Sequence, residues 1–138
     1  MGTRSTTKFI ETWTENEGKQ KKQTLMCMYR QFDGYPDSHG QELADFLKEG
    51  KLVNGLGGDD GRVFNGMGCL AAQVVAHFKT GPGGFYISSV KDRQQFNYEV
   101  IGDFNTRKLT LVCKNTSGRV LFKGDPKDFE AFAKKYHA

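Results

Sequence analysis

From residue 85 to residue 123 the chain repeats one pattern: short alternating runs at 85–90, 96–101 and 108–114, then the turn Asn115-Thr116-Ser117-Gly118 and a last run at 119–123. Alternation with a period of two places successive side chains on opposite faces of a strand. The gaps between the runs are too short for the crossover helix that a parallel connection needs. The pattern therefore predicts consecutive strands of an antiparallel sheet.

The N-terminal third adds to the same sheet. Residues 6–14 alternate and are rich in Thr, Phe, Ile and Trp, Glu15-Asn16-Glu17-Gly18 supplies turn chemistry, and residues 23–32 alternate again; this reads as a β-hairpin. Asp33-Gly34-Tyr35-Pro36-Asp37 breaks it, and Ser38 with Gln41 has the form of a capping box. A helix is expected over 40–52, with Leu43, Phe46 and Leu47 on its apolar face. Residues 53–61 hold too many glycines and acids for an element interior and read as an exposed loop. Over 68–79 the spacing of Leu70, Ala71, Val74, Val75 and Phe78 predicts a strongly amphipathic helix. Asp125 and Pro126 form an N-cap and first-turn pair for a closing helix with Phe129, Phe132, Ala133 and Tyr136 on one face. The expected fold is α+β: one domain, 1–138, with an antiparallel sheet of about five to six strands and two to three helices packed on one face.

Charge narrows the function more than it narrows the fold. Residues 1–30 hold six basic and three acidic side chains, 31–102 hold six and nine, and 103–138 hold eight and four. If the two basic ends meet in one sheet, they build a positive face suited to phosphate-bearing partners. Lys19, Lys21 and Lys22 fall at the expected hairpin tip and read as solvated charge. Cys27, Cys69 and Cys113 are odd in number and far apart, which fits reduced thiols in a cytoplasm rather than a disulfide framework or a zinc knuckle. No apolar run reaches the roughly 20 residues of a membrane span.

The glycine-rich segments do not match a catalytic motif. Gly55, Gly57 and Gly61 miss the dinucleotide-binding spacing by one residue and follow no evident strand, and Met67-Gly68 stands where a Walker loop requires Lys-Ser/Thr. What remains is Asn65-Gly66-Met67-Gly68 at a helix start with Arg62 just before it, where free N–H groups and a guanidinium can meet an anion. Arg30, Tyr35 and Tyr98 complete the candidate ligand-binding set. Cys69 reads as a small buried hydrophobe rather than a nucleophile, since His39 and His77 serve as its base only if folding brings them close. His39, His77 and His137 lack ligand spacing, and Asp59-Asp60 has no further carboxylates to complete a cation cage, so no metal or cofactor is expected.

Gly2-Thr3-Arg4-Ser5, Tyr29-Arg30-Gln31-Phe32-Asp33-Gly34-Tyr35-Pro36, Phe64-Asn65-Gly66-Met67-Gly68-Cys69-Leu70-Ala71-Ala72-Gln73 and Gly83-Gly84-Phe85-Tyr86 together resemble a family of short proteins from phages and bacterial mobile elements. In size and basic balance the chain is also similar to phage anti-defence sponges, which hold immune nucleotides without cleaving them. That analogy implies a non-enzymatic, cytoplasmic binder of a small phosphate-bearing nucleotide. The alternative is a protein or nucleic-acid interaction module that inhibits a host enzyme. A homo-oligomer is expected, with Phe9 and Trp13 as interface or core candidates, and no membrane partner.

Overall fold

The computed structural model describes residues 2–53 and 62–136. The elements in chain order are β1 (Ser5–Thr14), β2 (Gln20–Arg30), α1 (Gln41–Lys48), β3 (Gly50–Val53), β4 (Arg62–Asn65), α2 (Gly66–Phe78), β5 (Phe85–Ser88), β6 (Phe96–Asp103), β7 (Leu109–Asn115), β8 (Val120–Gly124) and α3 (Phe129–Lys135). Six strands form one sheet in the order β5-β2-β1-β6-β7-β8, so the fold is the α+β arrangement expected. One pairing departs from the antiparallel expectation. β6 lies parallel to β1, with Thr7 opposite Tyr98 and Phe9 opposite Val100. Each half of the sheet is locally antiparallel, and the halves join through this seam because residues 89–95 carry the chain from the β5 edge to the far side of β1.

Strand parity decides which side chains meet the helices. Thr7, Phe9, Met28, Phe96, Tyr98, Val100, Leu111 and Cys113 share one face and are buried. Against it pack Leu43, Ala44, Phe46 and Leu47 of α1, Met67, Leu70, Ala71, Val74 and Phe78 of α2, and Phe129 and Ala133 of α3. Each fully buried Leu, Val, Phe or Met side chain contributes up to about 1.5–3 kcal/mol. Phe9 therefore belongs to the core and not to an interface, while Trp13, near the end of β1, is half-buried.

Local chemistry explains where the elements begin and end. Asp125 accepts a hydrogen bond from the Lys127 N–H at 3.0 Å and Pro126 follows it, as expected, although this cap opens a short 3-10 turn that leads into α3. The Ser38–Gln41 capping box does not form. Pro36–Gly40 is instead one turn of π-helix, Gly40 precedes α1, and the Gln41 amide donates to Asp45 at 2.9 Å. α1 also stops at Lys48 rather than running to residue 52, because the following residues pair as β3 with β4 in a two-stranded parallel sheet. Burial of Leu52 and Phe64 in adjacent register holds that pairing together. A strand thus does precede the glycine-rich segment, contrary to the sequence reading; residues 54–61, with Asp59 and Asp60, lie outside the described residues, as does His137.

α2 begins two residues earlier than its periodicity indicated, and glycine chemistry accounts for it. Gly66 has φ +83°, a left-handed conformation that lets the chain turn sharply from β4 into the helix. Met67 then seats on Gly102 of β6, where a Cβ would run into its sulfur. Among the described residues, no helix is long and apolar enough to cross a membrane.

Candidate functional site

The residues singled out from sequence separate into three places. Asn65, Gly66, Met67 and Gly68 are contiguous at the start of α2, but Met67 is 1 % exposed and belongs to the core. Asn65 makes no side-chain cap to the helix. Arg62 does not converge on this helix start. It opens β4, three residues away or about 10 Å along an extended strand, and its guanidinium stacks on the Phe46 ring at 4.0 Å, toward α1. The expected meeting of Arg62 with the free N–H groups is therefore not what the fold builds: cation–π contact with α1 draws the side chain the other way.

Tyr98 and Tyr35 are structural. The Tyr98 ring is fully buried and its hydroxyl donates to the Gly34 carbonyl at 2.7 Å, so its polar tip serves the chain and not a ligand. Burial holds its phenol well above the usual range. Tyr35 is half-buried, 5.9 Å from the Phe96 ring.

Arg30 sits in a buried polar network that parity alone did not show. Its Nη1 lies 3.0 Å from Glu42 Oε2 and 3.1 Å from His39 Nδ1, while His39 Nε2 lies 2.8 Å from Thr7 Oγ1. Because a guanidinium only donates, Nδ1 must accept, which assigns the proton to Nε2 and makes Thr7 the acceptor. Burial, reinforced by the Arg30 cation, pushes the His39 imidazole down to about 3. His39 is thus a neutral core residue. Cys69, half-buried rather than buried, receives the Gln73 amide at 3.2 Å, and His77 stacks on Phe46 at 4.6 Å. Among the described residues no group of three His, Cys, Asp or Glu side chains is placed to hold a metal ion.

The arrangement best suited to an anion lies on the sheet face that the helices leave uncovered. A depression of about 570 Å³ is lined by Lys21 and Lys22 of β2, Lys108 before β7 and Lys123 of β8, with hydroxyls from Thr12, Thr106 and Thr110. β1 and β6 bring these segments together: Thr12 pairs with Lys22 on one side and Asp103 on the other. Asp103 is the one carboxylate in the lining, and both its oxygens are already engaged, by Thr12 Oγ1 and by the N–H groups of Asn105 and Thr106, all at 2.9 Å. The Thr106 N–H is the main cause that holds the Asp103 pKa below the ordinary carboxylate value. Lys21 pairs with Trp13 and so points to the other face, but the ammonium groups of Lys22, Lys108 and Lys123 against one internally satisfied carboxylate leave the depression positive.

Sequence reasoning missed these lysines one by one and found them in aggregate. Lys21 and Lys22 were assigned to a solvated hairpin tip, yet β2 starts at Gln20 and carries both into the sheet. The signal was the basic balance of the two chain ends, which the sheet order joins. No family model matches the chain, and neither a curated protein nor a solved structure matches it.

Proposed function

We propose that this chain binds a small phosphate-bearing nucleotide without transforming it, and that the phosphate seats in the lysine-lined depression of the open sheet face. The observation that carries this reading is the convergence of Lys22, Lys108 and Lys123 with the hydroxyls of Thr106 and Thr110 on one concavity. Ammonium groups supply charge without demanding one geometry, and hydroxyls supply directed donors, a combination suited to phosphate oxygens. Binding rather than turnover is supported by the commitments of the reactive side chains: His39 is locked between Thr7 and Arg30, and Cys69 meets an amide rather than a base. Sequestration of a nucleotide signal, the role implied by the resemblance to phage proteins, is the corresponding biological proposal. A second copy of the chain is the proposed protein partner, with Ile87 and Tyr86, 62 % and 44 % exposed on edge strand β5, as the surface it would cover.

Calorimetry with ADP-ribose, a cyclic dinucleotide and ATP, against adenosine as the phosphate-free control, tests the reading. Nucleotides should bind and adenosine should not, and bound nucleotide should be recovered intact after denaturation. Replacing Lys22 and Lys123 together by Ala should weaken binding about tenfold or more, since charge-assisted contacts contribute about 1.5–3 kcal/mol each when well placed. Equal affinity for adenosine, or wild-type affinity in the double variant, would refute the site. Tight binding of a single-stranded oligonucleotide with steep salt dependence, and none of the mononucleotides, would favour the interaction-module alternative.

A further inference from the structure

We propose that a second depression, over Arg30 on the helix-covered side of the sheet, is a binding site for a small organic monocarboxylate carried on an aromatic body. The depression encloses about 590 Å³, and its lining includes Arg30, Phe32, Phe46, Arg62, His77 and Phe85. It is separate from the lysine-lined depression, because Arg30 shares the sheet face of Ser5 and Met28 whereas Lys22 and Lys123 belong to the opposite face.

Arg30 is what marks the place as a site. It is only 7 % exposed, and its guanidinium carbon lies 4.9 Å from the Phe85 ring centroid and 5.6 Å from that of Phe32. Both of its hydrogen bonds run through Nη1, to Glu42 and His39, and among the described residues the buried Nε donates to nothing. A buried donor without an acceptor is uncommon in a folded protein. Here the unsatisfied group belongs to the Nε–Nη2 edge of a guanidinium, the edge that takes two carboxylate oxygens side by side. Phe32, 44 % exposed, lines the depression beside this guanidinium and offers a ring for a planar group to pack on.

The lining also selects among anions. Glu42, Asp45 and Glu49 stand around the same depression, three carboxylates to two arginines. Asp45 is held by Lys48 at 3.1 Å and Glu42 by Arg30 at 3.0 Å, but their charges still oppose a dianion more than a monoanion. A flat carboxylate therefore fits where a phosphate monoester does not. The remaining wall, Phe32, Phe46, Phe78, Phe85 and the His77 ring, favours an aromatic body by offset or edge contacts.

Titration of the full chain with sodium benzoate, followed by amide ¹H–¹⁵N spectra, tests the proposal, with benzamide and phenyl phosphate as comparison probes. Benzoate should shift the Phe32, Thr80 and Phe85 amides saturably, and benzamide and phenyl phosphate should bind at least tenfold more weakly. Thr80 is exposed and lines the depression. Thr80→Glu places a further carboxylate there and should weaken benzoate binding at least tenfold with the rest of the spectrum unchanged. Arg30→Lys should abolish it, and if that variant does not fold, Thr80→Glu carries the test. The proposal is overturned if benzoate produces no saturable shift, if benzamide or phenyl phosphate binds as tightly, if the shifts map elsewhere, or if Thr80→Glu binds like wild type.

Discussion

Acidification should destabilise this protein through His39. In the fold the imidazole is buried and neutral, with Nδ1 facing the Arg30 guanidinium, so protonating it would set two cations against each other out of water. Its folded value is about 3 against 6.5 for an ordinary imidazole. A depressed value means that the unfolded chain takes up the proton first as pH falls. Stability is therefore complete above about 6.5 and is lost progressively below it, levelling off only near 3. At pH 4, two and a half units below the ordinary imidazole value, about 1.4 kcal/mol per unit gives a loss of about 3 kcal/mol from this one group. Set against a total of about 5–15 kcal/mol for a domain, that is a large share. Urea unfolding of wild type and His39→Gln at pH 7, 5.5 and 4 measures it. The variant will start less stable, because glutamine cannot reproduce both contacts to Arg30 and Thr7, but its stability should fall less steeply with acid by about 3 kcal/mol over the interval. Groups that titrate alike in both proteins cancel in the difference. Parallel pH profiles for the two proteins would show that His39 is not held neutral by this environment.

Tyr98→Phe keeps the buried ring and removes the hydroxyl that donates to Gly34; it should cost about 1–3 kcal/mol by urea unfolding while nucleotide affinity stays unchanged, and weakened nucleotide binding would return Tyr98 to the ligand site. Since burial raises the Tyr98 phenol, the unfolded chain ionises first, so wild type should lose stability above about pH 10 more steeply than the variant. Arg62→Ala removes the stacking on Phe46 and should lower stability by about 0.5–1 kcal/mol with nucleotide affinity intact. A tenfold loss of nucleotide affinity in that variant would restore the anion site to the start of α2.

What could be read from the sequence was whatever depends on neighbours along the chain. Period-two alternation at 96–101 and 108–114 set β6 and β7, the spacing of Leu70, Ala71, Val74 and Phe78 set α2, and Asp125-Pro126 marked the way into α3. Hydrophobic period and turn chemistry act over a few residues, so they survive without knowledge of the fold. The α+β class followed from their order. What the tertiary structure decided depends on distant partners: that β1 lies parallel to β6, that residues 50–53 pair with β4 instead of extending α1, and that Arg62 turns to Phe46 rather than to the Asn65–Gly68 backbone. The site follows the same division. An excess of lysine at the two chain ends was visible in the sequence, but Lys22, Lys108 and Lys123 share one depression only because β1 and β6 join the N-terminal hairpin to the C-terminal strands. Charge on a chain is local information; its concentration at one point in space is set by which strands share backbone hydrogen bonds, and that pairing is chosen by the burial of the opposite face.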